Sequence, residues 1–150
     1  MRIVYLLIAL LTTSIACADS TAPNPENWYK NSYAPIWETG ATDKLEPALR
    51  YYDQTIQVHE PAGELKSVTS RVWLEGSLRL WASEGWLSSD LEGFTMDQLN
   101  ASTVMFKSSW RDKYANGSES ITCGWYLADL QDGVWLFTNY AEIECAEHGF

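Results

Sequence analysis

Positive charge is scarce in this chain. Ten Lys and Arg stand against twenty Asp and Glu, a formal net charge of −10 over 150 residues. The basic residues form no cluster, which argues against a nucleic-acid or anionic-lipid surface, since both are held by grouped Lys and Arg. Histidine is scarcer still, at two. Cys145-Ala146-Glu147-His148 is one short pair at the chain end, whereas a closed zinc site takes four ligands. No metal and no cofactor is expected. The sequence also lacks a glycine-rich phosphate loop, a Gly-x-Ser-x-Gly elbow, internal repeats and low-complexity stretches. Its one long apolar run, Ile3 to Ile15, falls short of the ~20 residues that a membrane span needs.

That run reads as an export leader. Met1-Arg2 supplies the positive start, and Ala16-Cys17-Ala18 supplies the small-x-small pattern for cleavage before Asp19. Ser14-Ile15-Ala16-Cys17 also resembles a bacterial lipobox, in which Cys17 is the lipidation site, although Ser14 stands where Leu is usual. Both readings take the chain out of the cytoplasm, as a periplasmic or secreted protein or as an anchored lipoprotein. Of the three cysteines, Cys123 and Cys145 then remain as a pair in an oxidising compartment. A disulfide is one expectation, and two buried thiols are the other. The expected organisation is a signal peptide over 1–18, a polar lead-in over 19–32 and a single domain over 33–150.

Aromatic residues are plentiful, with eight Trp, eight Tyr and four Phe. Most are expected in the core. Pro35 interrupts Trp28 to Trp37, which reads as a short helical turn packing onto the domain. Pro47 to Tyr52 reads as a helix with proline in its first turn, and Thr55 to His59 as a strand stopped by Pro61 and Gly63. Leu65, Val68, Val72, Leu78 and Trp81 fall near one helical stripe, predicting a helix of about four turns that Gly85 ends. Trp86 to Leu99 reads as loop plus a short strand near Met96. Three apolar runs follow, Thr103–Tyr114, Glu119–Leu130 and Val134–Cys145. Asn116-Gly117 and Asp132-Gly133 separate them, and both dipeptides suit two-residue hairpin turns.

Helices followed by an antiparallel meander make an α+β arrangement. A helix, then RYYDQTIQVHEPAG, a long helix and a meander ending in DGVWLFTNYAEI resemble the nuclear transport factor 2-like (SnoaL-like) superfamily over roughly Tyr33 to Glu144. The resemblance implies a cone: a curved antiparallel sheet wrapped around a long helix, enclosing a pocket. The same cone serves isomerases, cyclases, dehydratases, binding domains and dimerisation modules, so it selects no function. The family's catalytic arrangements cannot be laid onto this sequence position by position.

Two-residue turns would place Trp110 opposite Cys123, and Cys123 opposite Glu142. Alternation then gathers Phe106, Ser108, Trp110, Asp112, Cys123, Trp125, Leu127, Thr138, Tyr140 and Glu142 on one face. Lys107, Arg111 and Lys113 fall on the other, together with Tyr126, Trp135, Phe137 and Ile143, an aromatic surface that offers a homodimer contact. This register separates Cys145 from Cys123 unless a bulge intervenes.

Phe106, Trp110, Trp125 and Tyr140 are the candidate ligand-binding residues, for a small apolar or aromatic ligand. Asp112, Glu142 and His59 are the candidate acids and bases, because a carboxylate among aromatics or a lone histidine at a pocket mouth can carry protons. The first expectation is a binding domain. The alternatives are a small proton-transfer enzyme and a dimerising interaction module.

Overall fold

The computed structural model describes residues 22–40, 43–59 and 63–145. The leader, Cys17 and the stretch Glu60-Pro61 lie outside the described residues. Helical elements come first: α1 (Pro25–Trp28), a π-helical turn (Tyr29–Tyr33), α2 (Ala34–Glu38) and α3 (Leu45–Leu49). Strands β1 (Tyr52–His59) and β2 (Leu65–Thr69) follow, then helix α4 (Ser70–Ser83). The chain closes with β3 (Trp86–Asn100), β4 (Thr103–Tyr114), β5 (Glu119–Gln131) and β6 (Val134–Ile143). All six strands form one curved sheet in the order β2-β1-β6-β5-β4-β3. It is mixed, since β1 runs parallel to β6 while every other pairing is antiparallel.

The helix that the sheet grips is the N-terminal one. Asn24 caps it, accepting from the Asn27 N–H at 3.0 Å. The widened π turn comes just before Pro35, which has no N–H for a regular helical bond. Trp28, Tyr29, Tyr33 and Trp37 all point inward and are buried. Tyr29 packs 4.8 Å from Phe106, and Tyr33 lies 4.7 Å from Phe137. The packed domain therefore begins inside the segment expected as a lead-in over 19–32, and Trp28, Tyr29, Tyr33, Ala34 and Trp37 belong to the core.

Helix α4 (Ser70–Ser83) has the expected length of about four turns but starts later than its stripe. Leu65 and Val68 belong to β2, paired with His59 and Ile56 of β1. Val72 faces solvent, while Leu74 is fully buried. The predicted stop holds: Gly85 follows the helix at φ +81°, a conformation that glycine adopts without a Cβ penalty. The segment 86–99, expected as loop plus a short strand, is instead the long edge strand β3. Asp90 pairs with Lys113 across to β4 at 2.5 Å, and Glu92 with Arg111 at 2.7 Å.

The two turn dipeptides behave differently. Asp132 and Gly133 both take positive φ, at 49° and 80°, and form the expected two-residue turn between Gln131 and Val134. At the other hairpin only Gly117 has positive φ. Tyr114 N–H donates to the Ser118 carbonyl and Gly117 N–H donates back to Tyr114, leaving a three-residue loop. The Asn116 side chain explains the extra residue, since its Oδ1 accepts from the Ser118 N–H at 2.8 Å and from the Ser118 hydroxyl at 2.7 Å. Trp110 therefore pairs with Thr122 instead of Cys123.

That slip of one residue inverts β5 relative to the expected faces. Thr122, Gly124, Tyr126 and Ala128 join Trp110 and Asp112 on the concave side, and Cys123, Trp125 and Leu127 go to the convex side. In β6 the register shifts between Phe137 and Asn139, which makes Thr138 a bulge residue. Trp135 and Phe137 before the bulge, and Tyr140 and Glu142 after it, consequently share the concave face. Tyr126, Trp135 and Phe137 are buried core, so the aromatic outer surface expected to support a dimer contact is not there. The bulge also carries Cys145 to the side of Cys123. The two are joined as a disulfide, with Cα atoms 5.3 Å apart.

Candidate functional site

The concave face leaves a cavity of about 300 Å³ between β4, β5 and β6 on one side and α4, Trp37 and Trp86 on the other. Its wall is mainly aromatic, with Trp81, Trp86, Trp110 and Tyr140 among its rings. Such a volume lies at the small end of the ~300–1,000 Å³ range of ligand pockets. A second cavity of about 210 Å³ adjoins it, and the two share Trp73, Leu80, Trp81, Tyr140 and Glu142.

Asp112 is the polar centre of the larger cavity. Its side chain is buried, and both oxygens are engaged: Oδ1 accepts from the Ser89 hydroxyl, and Oδ2 accepts from Thr122 Oγ1 at 2.8 Å. Trp86 Nε1 donates to Ser89 Oγ at 3.0 Å, extending the chain one step further. Register explains the cluster, because Ser89 and Ser120 flank Asp112 across the sheet and Thr122 lies on the same face. Below it, Tyr29 donates to Ser108 Oγ at 2.8 Å and Trp110 Nε1 donates to the same oxygen at 2.9 Å. The Tyr33 and Tyr52 hydroxyls share a hydrogen bond of 2.6 Å.

Burial pushes the Tyr33, Tyr52 and Tyr126 phenols well above their ordinary range. Tyr140 is raised too, by burial first and then by the negative charges of Glu142 and Asp112. All of these phenols therefore stay neutral at ordinary pH and act as hydrogen-bonding groups. One buried group is left over. The Trp37 indole N–H has no hydrogen-bond partner among the described residues, and Trp37 lines the cavity.

No protein-family model matches the chain, and no curated protein matches it. Solved structures do. A nuclear transport factor 2-like protein of unknown function from Shewanella oneidensis is similar at 13% identity and a TM-score of 0.60, over 76% of this chain and 92% of that one. A candidate polyketide cyclase from Xanthomonas campestris is similar at 13% identity and a TM-score of 0.54, over 78% and 87%. A candidate calcium/calmodulin-dependent protein kinase II association domain, also from Xanthomonas campestris, reaches 0.55 at 14% identity, over 81% and 87%. The fold is nuclear transport factor 2-like.

Within this nuclear transport factor 2-like cone, the residues singled out from sequence separate into three groups. Asp112, Trp110, Tyr140 and Glu142 line the larger cavity together, with Glu142 exposed at its rim. Phe106 shares their face but is fully buried beneath the cavity, packed on Tyr29 and Phe94. Trp125 is a correction, because the β5 slip turns it to the convex side, where its Nε1 donates to Met105 Sδ. His59 also stays out of the larger cavity. It packs edge-on against Trp125 at 6.0 Å and borders only the smaller cavity. Sequence reasoning missed Ser89 and Thr122, which position Asp112, because they lie in a stretch expected as loop and on a strand read one residue out of register. It also did not single out the α4 residues Trp73 and Trp81 for the pocket, whose wall they form. Among the described residues, no three His, Cys, Asp or Glu side chains gather to hold a metal ion.

Gly124 shows how tightly the floor is made. A Cβ there would meet Tyr126 Cε2 at 2.9 Å and its hydroxyl at 3.2 Å. Gly124→Ala is therefore expected to displace the buried Tyr126 ring and cost about 1–3 kcal/mol, as overpacked cores do. Urea unfolding reads the loss, and a midpoint equal to wild type would show that Tyr126 yields freely.

Proposed function

We propose that this chain is an exported small-molecule-binding domain whose ligand occupies the aromatic cavity above Trp110. The observation that carries the reading is the cavity's make-up: aromatic walls around one buried carboxylate that accepts two hydroxyl hydrogen bonds. Binding pockets combine mainly apolar walls with a few placed polar groups in this way. Export is supported by the leader pattern over 1–18 and by the Cys123–Cys145 disulfide, which suits an oxidising compartment.

Proton-transfer catalysis is the second reading. It is favoured by Asp112, Tyr140 and Glu142 lining one cavity and by the structural likeness to the candidate polyketide cyclase from Xanthomonas campestris. It ranks lower because Glu142 is exposed and His59 stands outside, leaving one buried carboxylate where acid–base work wants converging groups.

A fluorescence titration with the neutral probe N-phenyl-1-naphthylamine tests the binding reading. Tyr140 packs 5.0 Å from Trp73 and 5.1 Å from Tyr126, so Tyr140→Ala opens the wall between the two cavities. It is expected to weaken the probe by about tenfold, the loss of one well-packed aromatic contact. Lys107→Ala, on the convex face, is expected to change affinity less than twofold. The reverse order would mean that ligands use the convex face.

A further inference from the structure

We propose that the Asp112 end of this cavity selects an organic cation, an alkylammonium or quaternary ammonium group carried on an apolar body. The inference rests on the binding reading above and names the ligand chemistry that the site favours.

Charge balance is the first argument. Among the described residues, the charged ones lining the larger cavity are Glu84, Asp112 and Glu142, all negative, and no Lys, Arg or His lines it. Asp112 is only 7% exposed and receives two hydroxyl donors, but among the described residues no cationic side chain pairs with it. Its strand neighbours Arg111 and Lys113 point to the convex face and are engaged by Glu92, Glu119 and Asp90. A buried carboxylate without a counter-charge is costly, and hydroxyl donors offset that cost only in part. A ligand ammonium would complete the balance.

The walls supply the second argument. Trp86, Trp110 and Tyr140 present aromatic rings around Asp112, and ring faces attract cations most strongly where water is excluded. Trp86 already meets one ammonium in this way: Lys44 Nζ lies 5.1 Å over its ring while donating to the carbonyls of Ile36, Trp37 and Thr39. Lys44 itself does not line the cavity. Burial raises the Tyr140 phenol most, and the charges of Glu142 and Asp112 add to that rise. The ligand's cationic end would then sit at Asp112, with its apolar body against Trp73 and Trp81 of α4.

Phenyltrimethylammonium and its uncharged isostere tert-butylbenzene separate charge from shape. Each would compete against N-phenyl-1-naphthylamine on the full-length protein. The cation is expected to compete at a concentration at least about tenfold lower, a margin in keeping with desolvated cation–aromatic contact. Asp112→Asn keeps the size of the side chain and is expected to erase that preference while moving tert-butylbenzene less than twofold. Glu142→Gln, at the exposed rim, should lower the cation's advantage by about two- to threefold, in line with a screened charge. It provides the test if Asp112→Asn does not fold. Equal competition by the two isosteres in wild type would overturn the cation inference and leave the pocket standing. Failure of the naphthylamine probe to bind at all would overturn the pocket reading and this inference with it.

Discussion

Tyr29→Ala is expected to lower the stability of this domain by about 3–5 kcal/mol, as large-to-small changes of buried aromatics do. Few residues have more to lose. Tyr29 is fully buried, its ring lies 4.8 Å from both Phe94 and Phe106, and its hydroxyl donates to Ser108 beneath Trp110. The substitution empties the centre of the cone and removes one of two donors that hold Ser108 under the cavity floor. Against a usual total of about 5–15 kcal/mol, that loss leaves a marginal protein. Tyr29→Phe keeps the ring and should cost only about 1 kcal/mol, the worth of one hydrogen bond. Urea unfolding of the two variants separates packing from hydrogen bonding. A Tyr29→Ala midpoint within experimental error of wild type would show that the N-terminal helix is not the core. The same logic predicts that a fragment starting at Tyr33 fails to fold, since it lacks Trp28 and Tyr29.

Cys145→Ser is expected to cost about 3 kcal/mol, the usual contribution of a cross-link closing a loop of this size. The bond joins residues 22 positions apart in sequence and ties the end of β6 to the middle of β5. It acts on the unfolded chain, which is free to expand once the link is cut, and on the native sheet, where it pins the β6 end beyond Glu142. Reductant should shift the wild-type urea midpoint to that of the variant and leave the variant unmoved. Identical midpoints for wild type and Cys145→Ser under oxidising conditions would mean that the two sulfurs are not linked in the folded protein.

The architecture was readable because its signals are local. Asp132-Gly133 offers the two positive φ values that a tight hairpin needs, and Gly85 ends α4 for the same steric reason. The faces of the sheet were harder to read, because they depend on counting through every turn and bulge. Asn116 uses its side chain to stabilise a three-residue loop, and that single residue sends Trp125 to the convex side and Tyr126 to the core. The Thr138 bulge then adds one residue in β6. With it, Tyr140 and Glu142 reach the cavity and Cys145 reaches Cys123. No sequence pattern marks that bulge. The N-terminal helix was undervalued for another reason: Pro35 reads as a helix breaker, whereas a π turn before it lets the helix continue. Ser89 illustrates the limit for sites. A serine in a polar strand carries no sign that it will donate to a buried aspartate on the neighbouring strand.

Whether the aromatic cavity holds a small molecule is most directly tested by native mass spectrometry of the protein purified gently from its natural source. The cone as described predicts a population carrying the added mass of one small organic molecule per chain, lost in Tyr140→Ala. A chain found only at its bare polypeptide mass, as an intact homodimer, would contradict that prediction and favour an assembly module.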